Sequence, residues 1–371
     1  MVVQHLKRRY FMQALAVASS LPVPKWVNSA TVVYSRVRPS ALVFPRDYGA
    51  HPEFRTEWWY LTGWLGSDKN AVGFQITFFR SRTQHSSDNP SRFAPTQLLF
   101  AHAAVAIPSE GKLRHADIAG RVGPAGAAFN TDDTNLRLED WTMERTRKDQ
   151  YQFYIPADNF TISLEAVPSQ IPLLRGDKGV SVKGHSTEFA SHYYSRPHLN
   201  VAAQIAIKEK SQKAKQVSLI KQSGIGWLDH EWSSSLLMPG AVGWDWIGIN
   251  LLDGGSIMAF RIRDQTANTL FSEWDLRDKN GRVLERHSNT VWKAVGQWTS
   301  PRSFATYPIT LLILIGNREF RLQTLMQDQE VDARASTGGF YYEGAVEMSQ
   351  NQVIIGRGYL ELTGYSQAIK L

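Results

Sequence analysis

The densest cluster of chemistry-bearing side chains is Asp229-His230-Glu231-Trp232, followed after a Ser-rich, Pro-containing loop by Trp244-Asp245-Trp246. Histidine exchanges protons near neutral pH, and neighbouring carboxylates tune it. If residues 229–232 are extended, the two-residue period sends His230 and Trp232 to one face and Asp229 and Glu231 to the other. In a barrel one face is the lumen, so the expected chemistry is acid/base work by His230 beside an aromatic wall. The competing reading is structural: His230 and Asp245 would tie strand ends together by hydrogen bonds at a domain junction.

A second cluster, Glu57-Trp58-Trp59-Tyr60 with Trp64, alternates in the same way, so Trp58, Tyr60, Thr62 and Trp64 share a face. Such a stripe is either core or the wall of a ligand cavity. Glu57, beside three aromatics, must be paired, protonated or at a rim. His51 before Pro52 and His102 within an apolar stretch pose the same question. His185, His192 and His198 do not fall into a His-Glu-x-x-His pattern and are expected in structural roles, so no metal site is expected. A Gly-x-Ser-x-Gly elbow, a phosphate loop and a dinucleotide fingerprint are all missing, which argues against an α/β serine hydrolase and leaves no cofactor to expect.

The elements that must hold these residues read as strands. Residues 58–65, 72–79, 99–107, 152–155, 160–167, 199–207, 246–252 and 257–262 are short, rich in aromatic and β-branched residues, and punctuated by turn signals such as Asp253-Gly254-Gly255. No long stretch keeps a helical period, so the expected class is all-β, as sandwich or barrel. A shift of 186 positions lays Trp58 on Trp244, Tyr60 on Trp246, Phe74 on Phe260 and Ile76 on Ile262. Duplication of one barrel unit explains this, with the intervening turn expected to keep its length. The chain of 371 residues exceeds what one core usually organises, and its expected division is 31–225 and 226–371.

Composition removes other chemistry. The chain has no cysteine, which excludes thiol nucleophiles, disulfides and Cys-based metal sites. Of the net charge of +7, four basic residues (Lys7, Arg8, Arg9 and Lys25) lie in an acid-free first thirty, leaving +3, and nucleic-acid binding is not expected. Residues 1–30 carry Arg8-Arg9-Tyr10-Phe11-Met12 ahead of a mild apolar run over 14–21, the order of a twin-arginine export signal. The strongest later apolar run, 309–315, is too short to span a bilayer. A periplasmic location is expected.

Several of these residues carry a family resemblance. His51, Glu57-Trp58-Trp59-Tyr60 with Thr62-Gly63, Ala101-His102-Ala103, Tyr193-Tyr194-Ser195-Arg196-Pro197, Asp229-His230-Glu231-Trp232, Gly243-Trp244-Asp245-Trp246, Tyr307-Pro308, Gln329-Glu330, Glu343-Gly344-Ala345-Val346 and the run from Gly358 to Tyr365 resemble the AttH-like proteins. That family is related to carotenoid 1,2-hydratases and is often described as secreted hydrolases. The resemblance implies two tandem lipocalin-like antiparallel β-barrels and a hydrophobic or amphiphilic small molecule as partner. It places a catalytic His-x-Trp pair on His230 and Trp232. The hydratases' Tyr-x-Asp pair has no clear counterpart here, Asp245 being the nearest residue. Leu311 or Leu312 after Tyr307-Pro308, and Tyr342 where Trp is common, suggest a reshaped second barrel.

The resulting expectation is a hydratase (hydro-lyase) or hydrolase. His230 or a protonated Asp245 would deliver a proton, Trp232, Trp244 and Trp246 would face the cation, and Asp229 or Glu231 would position water. Glu57, Trp58, Tyr60, Trp64, His102, Tyr194, Trp244 and Trp246 would contact the ligand. The alternative is a non-catalytic periplasmic lipophile carrier or chaperone serving a membrane transport system, and carbohydrate binding on exposed Trp faces is a third.

Overall fold

Alternating aromatic and β-branched residues become antiparallel strands throughout the computed structural model, which describes residues 32–369 apart from 67–69, 87, 90, 92, 124–125, 209–216 and 289. The expected export signal lies outside the described residues. Among those described, the only helical pieces are the single turns Arg46–Tyr48 and Pro108–Glu110.

Two large sheets account for the fold. In the first, Arg114–Arg121, Gln97–Ala106, Val72–Arg82, Thr56–Leu65, Val217–Ser235, Ala190–Lys208 and Phe160–Pro168 lie side by side, and the ladder runs on to Ala127–Phe129. A bridge between Val122 and Ala127 brings its two ends together, so the sheet curls into a barrel. In the second, Thr269–Arg277, Ser256–Arg263, Gly243–Leu251, Val353–Leu362 and Gly339–Gln350 repeat the same order. These are two lipocalin-like antiparallel barrels, the all-β class that the strand pattern and the resemblance lead one to expect.

Each barrel encloses its own core. Trp59, Leu61, Phe74, Ile76, Phe78, Ile162 and Leu228 fill the first, and Ile247, Ile249, Trp274, Tyr307, Leu311 and Leu360 belong to the second. Side chains of this size each gain roughly 1.5–3 kcal/mol by leaving water. This filling bears directly on the site, because the lumen face of residues 56–65 and 217–235 is packed solid near its centre.

The opposite face joins the barrels. Tyr60, Trp64, Tyr193, Trp227, Trp246, Met258, Phe260 and Tyr359 form one buried cluster between the two sheets. Trp64 Nε1 donates to the Gly358 carbonyl at 2.8 Å, and Arg175 pairs with Asp275 across the junction at 2.7 Å. Gly248 leaves room for this packing: a Cβ there would lie 2.5 Å from the Trp246 ring and 2.9 Å from that of Trp227.

Two expectations change. The division at 225/226 falls inside the Val217–Ser235 strand, which belongs to the first sheet; the chain passes to the second sheet between Ser235 and Gly243. The turns of the two superposed hairpins also differ in length. Leu65 pairs with Val72, whereas Asn250 pairs with Ser256. Tyr60 and Trp246 share the junction, but Phe74 enters the first barrel's core while Phe260 lies in the junction cluster. The gapless shift therefore holds for the first strand of each hairpin and fails for the second.

Candidate functional site

Pairing fixes which side chains meet. Across three neighbouring strands, Tyr60 lies opposite Asp229 and Asp229 opposite Ser195, while Trp58 lies opposite Glu231 and Glu231 opposite Tyr193. Because side chains alternate, these six share one face. Trp59, His230 and Tyr194 are in register on the other.

The first face opens on a cavity of about 770 Å³ between the barrels, a volume suited to a small organic ligand. Trp58, Tyr60, Phe79, Trp244, Trp246 and Phe260 supply much of its apolar wall. Asp229, Glu231, Lys183, Tyr193 and Glu361 supply its titratable groups, and His102 and Tyr341 border it as well.

Asp229 accepts hydrogen bonds from Tyr193 Oη at 2.7 Å, from Trp227 Nε1 at 2.8 Å and from the Ser195 hydroxyl. Burial pushes its carboxyl up to about 6, against the pull of the Arg175 charge and these three donors. Glu361 has less support. Burial pushes it up to about 7, the Trp244 Nε1 donor at 3.0 Å holding it down while Asp229 and Glu231 repel its charge. Behind it, fully buried Glu343 accepts from Tyr60 Oη at 2.7 Å and is held well above the usual carboxylate range by burial and by Glu361. Glu231 pairs with Lys183 at 3.1 Å and accepts from the Ser191 hydroxyl. The Lys183 ammonium lies 4.3 Å from the Phe260 ring centre and 4.7 Å from that of Tyr193.

The second face is a closed knot of hydrogen bonds. His230 contacts Glu57 Oε1 through Nε2 at 2.9 Å and Tyr194 Oη through Nδ1 at 3.0 Å. Glu57 also receives His51 Nδ1 at 2.7 Å and Arg80 Nε at 2.7 Å. Burial works against the Glu57 anion, but the Arg80 and His51 charges and the two imidazole hydrogen bonds hold it well below the usual carboxylate range. Burial lowers His230 to about 4 despite Glu57, so it is neutral at physiological pH. His51 stacks on Trp232 with ring centres 3.7 Å apart.

The donor atoms of His51, Glu57 and His230 converge to within 4.8 Å, so these three could ligate a cation. Every one of those atoms already has a hydrogen-bond partner in the knot, which a metal ion would have to displace.

The expected site is therefore redistributed. His230 and Trp232 face away from the cavity, because alternation puts them on the side of their strand that holds the knot and the first core, while the cavity opens on the other. Asp245 lies between Arg261 Nε at 2.6 Å and Arg263 Nε at 2.8 Å, with Tyr365 Oη at 3.2 Å, and does not line the cavity. Tyr194 packs with Tyr48, Phe54 and Trp232, and Trp64 is a junction residue; neither lines the cavity. Glu57 borders one end of the cavity while its carboxylate is held in the knot. Asp229, Glu231, Trp58, Tyr60, His102, Trp244 and Trp246 come together around it.

Sequence reasoning gave no role to Lys183, Tyr193, Glu343 or Glu361. Tyr193 alternates with Ser191 and Ser195 through a Tyr-rich segment, a usable strand signal. Glu361 alternates with Tyr359 and Thr363 in the same way. Lys183 comes from a short strand, Val180–Val182, and the turn after it, and nothing local marks it.

Comparison with known proteins agrees with this architecture. The AttH-like family profile matches residues 35–365. A solved structure from Nitrosomonas europaea assigned as AttH is 42% identical, with 89% of this chain and 99% of that one aligned and a TM-score of 0.80. Kievitone hydratase from Nectria haematococca is 14% identical over 91% of this chain and 98% of its own, with a TM-score of 0.64. CghA bound to Sch210972 is 11% identical over 91% and 97%, with a TM-score of 0.54. These last two likenesses speak for the fold. No curated protein sequence matches. By the extent of the profile match and the identity to the Nitrosomonas protein, the chain belongs to the AttH-like family.

Proposed function

We propose that the protein is a hydratase or hydrolase acting on a lipophilic small molecule held between the two barrels, with Glu361 as proton donor and Asp229 as its complementary base. The observation that carries this reading is the pair of buried carboxyls on one aromatic-lined cavity with unequal support: Tyr193, Ser195 and Trp227 donate to Asp229, whereas Glu361 accepts from Trp244. Glu361 is pushed up to about 7 and Asp229 to about 6. Two carboxyls set apart by their surroundings make an acid/base pair, and the one with more donors is the one that ionises first.

Hydration of an alkene follows directly. The proton of Glu361 bonds to one alkene carbon, and the neighbouring carbon becomes cationic against Trp244 and Trp246. Each aromatic face contributes roughly 0.5–2 kcal/mol to a desolvated cation. Water adds to that carbon while Asp229 takes its proton, and Asp229 then releases a proton that Glu361 regains from solvent, so the sum is alkene plus water to alcohol. A hydrolase would use the same pair to protonate a leaving group and activate water. The fold neighbour named as a hydratase offers an analogue for this chemistry. Export by the twin-arginine route belongs to the reading on the strength of Arg8-Arg9-Tyr10-Phe11-Met12.

The test uses trisubstituted alkenes, citronellol among them, with turnover followed by product mass. Glu361→Gln is expected to lower turnover at least about 100-fold while binding of a dansylated fatty acid persists. Unchanged turnover in Glu361→Gln contradicts the assignment. Recovery of wild-type protein with a bound, chemically unaltered lipid and no turnover on any substrate would favour the carrier.

A further inference from the structure

Away from the acid pair, the cavity wall carries a second constellation built from both barrels. His102, on Gln97–Ala106 of the first sheet, is buried at 1% exposure with its ring centre 5.0 Å from that of Phe79. Its Nε2 lies 2.8 Å from Ser336 Oγ and its Nδ1 lies 2.6 Å from Tyr341 Oη. Ser336 occupies the turn between Glu330–Ala333 and Gly339–Gln350 of the second sheet, and Ser336, His102 and Tyr341 all line the cavity. The other acceptor near the serine hydroxyl, the Ala333 carbonyl, is farther away at 3.3 Å.

A serine hydroxyl is a weak nucleophile until a base takes its proton, and the base must itself be oriented by a third group. This order of contacts supplies both. In the reactive tautomer Ser336 donates to Nε2 and the ring donates its Nδ1 proton to the Tyr341 oxygen, a contact that holds the ring plane. Burial and His115 lower His102 to about 3, which leaves its acceptor nitrogen unprotonated at rest and makes it a weak base. Tyr341 is held neutral too, by burial and by Glu343 and Glu361. A neutral phenol supports an imidazolium less well than a carboxylate does, and the constellation is accordingly a slower relative of the familiar triads. Ser336 is only partly covered and Thr337 beside it is exposed, which puts the hydroxyl at a solvent-reachable part of the wall.

We propose that Ser336 is a nucleophile for acyl transfer, with His102 as its base and Tyr341 as a positioning residue, acting on esters whose apolar part lies along Phe79 and Phe340. Ser336 Oγ bonds to the acyl carbon while its proton passes to His102 Nε2. The bond from that carbon to the alcohol oxygen breaks, and the departing oxygen takes the proton. Water then adds to the acyl-serine, giving a proton to His102, and the carbon–Oγ bond breaks as the serine recovers it. The sum is ester plus water to acid plus alcohol, with no change of oxidation state. Thr337 and Gln367 line the same cavity, the Gln367 amide donating to the Gly338 carbonyl at 2.6 Å.

The absence of cysteine makes the test clean, since Ser336→Cys introduces the chain's sole thiol. Wild-type protein treated with a fluorophosphonate is expected to gain one adduct, mapped by peptide mass to Ser336 and lost in Ser336→Ala and His102→Gln. Ser336→Cys is expected to react with iodoacetamide at least about 10-fold faster than a Gln265→Cys reference on an exposed loop, and to lose that advantage when His102→Gln is added. No adduct at Ser336 in folded wild-type protein, or a Ser336→Cys thiol no faster than the reference, would overturn the proposal.

Discussion

Glu57 and Glu343 are both fully buried, one on each side of the same group of strands, and they are driven in opposite directions. Glu57 meets Arg80, His51 and His230, and is an anion locked into a knot. Glu343 meets a single phenol, Tyr60, and the neighbouring Glu361, and is held well above the usual carboxylate range. Burial is common to both, so the partners decide ionisation. The knot uses its charge to hold the first barrel to the segment carrying His51, whereas the cavity side keeps transferable protons beside an aromatic wall. On the proposed function, a histidine embedded in the first arrangement is a structural group and a carboxyl in the second is a reagent.

The largest effect that would break this contrast is in the knot. Glu57→Gln leaves Arg80 and His51 without their counter-charge, and is expected to cost about 3–5 kcal/mol of stability, read from urea denaturation. Asp245→Asn removes the partner of Arg261 and Arg263 and should cost about 1–3 kcal/mol, while turnover per folded molecule stays within about twofold. Complete loss of turnover in a folded Asp245→Asn protein would return that residue to the chemistry.

A smaller effect sharpens the comparison through pH. Glu361 has its folded proton affinity raised from the ordinary value to about 7, so its contribution to stability is complete below the ordinary carboxylate range and is lost as pH rises through about 7. Glu57 has the reverse sign: its contribution is present above the ordinary carboxylate range and is lost only in strong acid, as pH falls through its lowered value. The unfolding free energy should therefore fall between mildly acidic and mildly alkaline pH by on the order of 1–2 kcal/mol, and Glu361→Gln should flatten that fall. The smallest effect is expected at His230. His230→Gln can still donate to Glu57 and should change stability by about 1 kcal/mol, with turnover retained.

Much of this arrangement was legible in the residues themselves. Alternation over 229–232 separated Asp229 and Glu231 from His230 and Trp232 correctly, and alternation over 57–64 placed Trp58 and Tyr60 together. The same rule, applied to Trp244-Asp245-Trp246, puts Asp245 opposite the two indoles and so outside the cavity that they line. What alternation could not supply was which face holds the cavity. That depends on Trp59, Leu61 and Leu228 filling the first lumen and on the two barrels meeting through their outer faces. Glu361 and Ser336 join the site from the second barrel only after pairing over more than a hundred positions. Ser336 and His102 are 234 positions apart, a juxtaposition that no local pattern reports.

The central claim, that the protonated carboxyls belong to the cavity and not to the His230 knot, is open to direct measurement by infrared difference spectroscopy across a pH titration. A protonated-carboxyl stretch is expected that titrates near 7, disappears in Glu361→Gln and persists in a folded Glu57→Gln protein. A spectrum in which every carboxyl titrates in the ordinary carboxylate range, or a band removed by Glu57→Gln and untouched by Glu361→Gln, would contradict it.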